Sequence, residues 1–72
     1  MAIMRDDRTL RGKPVDGVLG ASLNIVVKSG ARVEVVSELP PRFIEIKALD
    51  LPDQPTGWVS TIAVDKAATD IP

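Results

Sequence analysis

Three short aliphatic and β-branched runs, each stopped by turn-forming residues, restrict this chain more than any other feature. They are Gly30-Ala31-Arg32-Val33-Glu34-Val35-Val36, Phe43-Ile44-Glu45-Ile46-Lys47 and Thr56-Gly57-Trp58-Val59-Ser60. Apolar and polar side chains alternate in them, which is the period of a half-buried strand and not of a helix. Val33 and Val35 are expected to face inward, and Arg32, Glu34 and Val36 outward. Ile44, Ile46 and Ala48 share one face, and Phe43, Glu45 and Lys47 the other. Leu39-Pro40-Pro41-Arg42 breaks the first run from the second, because proline has no N–H to give to a ladder. The short gap predicts an antiparallel hairpin.

Upstream, residues 22–28 read as a further strand with Leu23, Ile25 and Val27 on its inner face, closed by Ser29-Gly30. Pro14-Val15-Asp16-Gly17 is a turn signal, since proline presets φ and glycine permits positive φ. Downstream, Thr61-Ile62-Ala63-Val64 predicts a helical turn leading into a last edge strand. No window keeps the 3.6-residue period long enough for a regular helix, because prolines and glycines interrupt every candidate. Residues 1–13 set Arg5, Arg8, Arg11 and Lys13 against Asp6 and Asp7. They read as a mildly basic, flexible or partly ordered arm in which Thr9-Leu10-Arg11 can add an edge strand. Residues 14–65 form the β-domain and residues 66–72 a flexible tail. Closing so small a sheet on itself would shield its edges.

The stretch over residues 29–64 resembles the C-terminal half of an SH3-like domain of the bacterial type. The resemblance rests on Lys28-Ser29-Gly30 before a strand, on Val33-x-Val35-Val36 within it, and on Phe43 opening the next strand. Gly57-Trp58-Val59 then follows a variable loop and runs on into Ser60-Thr61-Ile62-Ala63-Val64. It implies an all-β fold, a small five-stranded SH3-like barrel, with residues 8–29 supplying the first strand and a long hairpin-like loop. The departures bear on function. Proline-peptide-binding members carry a row of exposed aromatics, whereas this chain has no Tyr and reads Thr61-Ile62-Ala63-Val64 where such members have one. The acidic loop that pairs with a basic ligand is also missing, because Asp16-Gly17-Val18-Leu19-Gly20 has a single acid. Proline-motif binding is therefore not expected. A plasmid-borne type of dihydrofolate reductase resembles the chain in size and barrel class. The segment nearest to its Val-Gln-Ile-Tyr is Phe43-Ile44-Glu45-Ile46-Lys47, which lacks the tyrosine.

With 72 residues and no Cys or His, the chain is one small domain without a disulfide, a thiolate metal site or the commonest zinc ligand. A domain of this size buries only about 60% of its unfolded surface, which leaves self-association as the remaining route to extra stability. Nine basic residues against ten acidic ones give a net charge of −1, so there is no bulk attraction to nucleic acid or anionic membrane. The N-terminal residues show no hydrophobic segment of signal-peptide length, and a cytoplasmic location is the default expectation.

Nucleophilic catalysis without His or Cys falls to Ser29 beside Lys28, and adjacent strand residues point to opposite faces. Asp6-Asp7 and Asp50 with Asp53 supply too few ligands for a hard cation. The expectation is a non-enzymatic module with no cofactor or metal. It acts by contact with a protein partner or a second copy, as an accessory or structural component. Phe43 and Trp58, the only aromatics, are the expected apolar anchors, with Arg42 and Lys47 as their polar rim. Trp58 keeps two readings: a half-buried packing residue, or part of an exposed patch with Phe43. Other classes also fit. One is nucleic-acid binding through the basic arm and a face bearing Lys28, Arg32, Arg42 and Lys47, although Glu34, Glu38 and Glu45 interleave with it. Another is a cell-wall-targeting module, and a third is a structural component of a phage or mobile-element assembly.

Overall fold

The alternating runs pair with one another and draw the rest of the chain onto the same sheet. A computed structural model describes residues 2–66. Its strands are β1 (Ala2–Met4), β2 (Arg8–Arg11), β3 (Ser22–Val27), β4 (Arg32–Leu39), β5 (Phe43–Ala48), β6 (Thr56–Ser60) and β7 (Val64–Asp65). A 3-10 turn over Thr61–Ala63 joins the last two. The sheet is seven-stranded in the order β3-β2-β6-β5-β4-β1-β7, and its pairings are antiparallel. The chain is thus a small all-β domain with the expected strands at residues 22, 32, 43 and 56 and the expected turn into a final edge strand, but the sheet has seven strands where five were expected, because residues 2–4 and 8–11 also pair into it.

β5 alternates as its residues dictate: Ile44, Ile46 and Ala48 are buried, and Phe43, Glu45 and Lys47 are half-buried on the other face. One apolar cluster gathers Met4, Leu10, Val27, Val33, Ile44, Val59 and Val64. It therefore takes side chains from both ends of the strand order. Gly57 is part of this packing because a Cβ there would stand 2.6 Å from Leu10 Cβ and 3.2 Å from Leu10 Cγ. Gly57→Ala is expected to lower stability by about 1–3 kcal/mol through overpacking. The readout is a fall in the urea midpoint with an unchanged m-value.

The N-terminal segment departs from the expected arm. β1 pairs with β4 at Ala2↔Val33 and with β7 at Met4↔Val64, and Ala2 and Met4 are 2% and 1% exposed. β2 is not an edge either, since it lies between β3 and β6 with Leu10 fully buried. Three apolar residues among charges offer too short an alternation to read as a strand. Their stability comes from partners far along the chain. At the other end Lys66 is ion-paired to Glu38 at 2.8 Å; the rest of the expected flexible tail lies outside the described residues.

β3 also departs from strict alternation. Leu23 and Val26 are 43% and 46% exposed while Val27 is fully buried. The cause is a register jump. Thr9 faces Val26 and Arg11 faces Ser22, so Leu23, Asn24 and Ile25 share the single position opposite Leu10. Asn24 sits at φ 60°, where asparagine is tolerated, and its N–H donates to Ser22 Oγ at 3.1 Å. A residue of opposite hand in mid-strand rotates its neighbours off the expected face.

A second bulge lies in β4. Val35 faces Ile46 and Ser37 faces Glu45, which leaves Val36 as the extra residue. Beyond it the register runs Glu38↔Ile44 and Leu39↔Phe43. Unbroken alternation would have turned Leu39 to the side of Val33 and Val35. The bulge places it beside Phe43 on the outer face.

Candidate functional site

Two tied-down loops frame the outer face around Phe43. The first is residues 12–21, between β2 and β3. At its tip Val15 N–H donates to Val18 O at 2.9 Å and Val18 N–H to Val15 O at 3.1 Å. The intervening Asp16 and Gly17 have φ of 54° and 77°, the pair of left-handed residues that a two-residue type I′ hairpin requires. The base of the loop is closed by Gly12 N–H to Ala21 O (2.9 Å) and Gly20 N–H to Gly12 O (3.1 Å). The two backbones approach so closely that a Cβ on Gly20 would stand 2.8 Å from the Gly12 carbonyl carbon. Arg11 Nε donates to Gly20 O at 2.7 Å, fixing the guanidinium against the loop.

The second loop is the β4–β5 connection, Pro40-Pro41-Arg42. Thr61 N–H donates to Arg42 O at 2.7 Å, which joins this loop to the 3-10 turn. Between the two loops lies a groove of about 510 Å³ lined chiefly by Arg11, Val18, Leu19, Arg42, Phe43 and Ile62. Ile62 and Val18 are 71% and 66% exposed. Val15 pairs with Val18 and Leu39 with Phe43, and both are exposed. Hence four of the seven large exposed aliphatics among the described residues, Val15, Val18, Leu39 and Ile62, belong to this one region.

The expected anchors and rim residues separate. Phe43 and Arg42 line the groove. Trp58 lies on the same face as Phe43, because Glu45↔Trp58 and Phe43↔Ser60 are successive same-face pairs. It is only 7% exposed, however, so its ring presents little surface, and of its two readings its burial fits packing. Lys47 stands at the far end of β5, opposite Glu34 and Thr56, away from the groove. Reading the sequence missed Arg11, Val18, Leu19 and Ile62. The available signal was an apolar pair, Val15 and Val18, flanking a turn that has no core side.

The other expected cations are engaged with acids. Lys28 Nζ lies 3.5 Å from Asp7. Arg32 donates from Nε and Nη2 to Asp50 Oδ1 at 2.9 and 2.7 Å, and its backbone N–H donates to Asp50 Oδ2 at 2.8 Å. The Arg32 side-chain hydrogen bonds, joined by its backbone N–H, hold the Asp50 carboxyl below the ordinary value of 3.8. The Ser29 N–H does the same for Asp7. A carboxylate favoured by folding stabilises the native state above the ordinary value, and that contribution disappears as pH falls through the depressed one. The melting temperature is therefore expected to drop on acidification below about pH 4. Asp50→Asn should flatten that part of the profile. Because the pairs are exposed, added salt should shrink the effect.

Among the described residues no three His, Cys, Asp or Glu side chains gather so as to hold a metal. What the groove offers is aliphatic walls, a phenyl floor and two guanidinium groups, with no acid among its lining residues. These groups suit recognition by contact. No protein-family model, curated protein or solved structure matches this chain.

Proposed function

We propose that the chain is a non-enzymatic contact module of SH3-like barrel type that binds a protein partner, a second copy included, through the groove between residues 12–21 and the β4–β5 loop. Three features support the barrel: the β4–β5–β6 meander, the 3-10 turn leading into β7 beside β1, and a core shared by strands from both ends of the order. The observation that carries the contact reading is the gathering of exposed aliphatics around Phe43. Exposed apolar side chains that gather in one region mark interaction sites, whereas scattered single residues do not.

Site-specific photo-crosslinking in the native host tests it. A photoreactive phenylalanine analogue at Ile62 is expected to give a discrete protein adduct, and the same analogue at Val36, an exposed aliphatic on β4, is expected to give none. Equal adducts from both positions, or none from Ile62, would refute the reading.

A further inference from the structure

We infer that the groove takes an acidic extended segment of a protein partner, with a bulky apolar side chain seated on Phe43 between Val18 and Ile62. This rests on the proposed contact function and adds the chemical class of the partner. Charge decides it. The titratable residues that line the groove are Arg11 and Arg42, both cationic. Arg11 is aimed by its Nε bond to Gly20 O. Arg42 is exposed, and its backbone carbonyl is held by Thr61 N–H, so its side chain projects from a fixed base. Most other cations of the described residues have an acid beside them, as in Arg8 with Asp6, Lys28 with Asp7, Arg32 with Asp50 and Lys66 with Glu38. A carboxylate entering the groove therefore meets two guanidinium groups and no acid among the residues that line it, and Arg–carboxylate pairs are short, bidentate and directional.

The walls argue for peptide over nucleic acid. Val18, Leu19 and Ile62 are aliphatic and offer no stacking surface. Of the two aromatics, Trp58 is buried, which leaves Phe43 alone where single-strand binders use several platforms.

The test is selection of a phage-displayed library of random linear peptides against the full chain, followed by titration of the selected peptides as synthetic ligands. Acidic peptides with a central bulky apolar residue are expected. Their affinity should fall with salt, weaken about tenfold or more in Arg42→Glu and less in Arg42→Gln, and vanish in Ile62→Asp. Ile62 and Arg42 are exposed, and circular dichroism verifies that each variant keeps the fold. Neutral or basic peptides that need Ile62 but bind Arg42→Glu equally well would overturn the acidic class and leave the groove reading standing. Failure to recover any peptide sensitive to Ile62→Asp would overturn both. Displacement of the selected peptides by a single-stranded oligonucleotide would overturn the peptide in favour of nucleic acid.

Discussion

Trp58→Ala is expected to remove a large share of the domain's stability and not merely a binding contact. Trp58 lies on the outer face of β6, opposite Glu45 on β5 and Arg11 on β2. It is 7% exposed and stands apart from the main apolar cluster. Its ring is thus a second packing site, on the far side of the sheet, flanked by the aliphatic stems of two charged residues. Truncating a buried Trp to Ala typically costs about 3–5 kcal/mol. A domain of 72 residues has roughly 4–11 kcal/mol in total. The variant should therefore lose from about a quarter to all of its stability, and Trp58→Phe should retain most of it. Urea denaturation followed by far-UV circular dichroism reads this. As Trp58 is the only tryptophan, native fluorescence should be blue-shifted and should move red on unfolding. An Ala variant with an unchanged midpoint but lost partner binding would make the indole a contact group instead.

The strands legible in the sequence are those whose partner is near and whose alternation is long. In β5 six residues alternate without interruption, and the proline-bearing turn before it announces the hairpin with β4. Gly57-Trp58-Val59 could be placed on β6. The burial of Trp58 on the outer face could not, because alternation tells which side a residue takes and not what covers it. β1 escaped because three residues carry little periodic signal, and its order is imposed by β4 and β7 from the middle and the end of the chain. The misreading of Leu23 has a local cause in Asn24 at positive φ; an asparagine amid aliphatics was the clue. The groove was half legible. Phe43 and Arg42 follow from strand and turn patterns, whereas Leu39 reaches the face of Phe43, beside the groove, only through the extra residue at Val36. Val18 and Ile62 come from separate loops that only the fold brings together.

Met4→Asp, or removal of residues 1–4, is expected to leave the chain without a cooperative unfolding transition. Met4 is 1% exposed. Its N–H donates to Ala31 O at 3.0 Å and its carbonyl accepts Gly30 N–H at 2.8 Å. In the strand order β1 alone lies between β4 and β7, and Arg5 N–H continues the link to Ala63 O at 2.8 Å. Losing β1 therefore exposes Val33 and Val64, leaves β7 without its strand partner and removes the bond to Ala63 O. A carboxylate at position 4 meets aliphatic neighbours, and burying an unpaired charge there exceeds what a small domain can absorb. Graded substitutions separate packing from charge: Met4→Leu should lose less than about 1.5 kcal/mol and Met4→Ala about 2–5 kcal/mol. Urea titration ranks these variants, and amide exchange at Val64 in the Met4→Ala protein reports whether β7 loosens before the rest. A chain lacking residues 1–4 that keeps the full-length midpoint would return this segment to the status of a solvated arm. It would also remove one of the supports for closure of the sheet, since β7 would then need no strand between itself and β4.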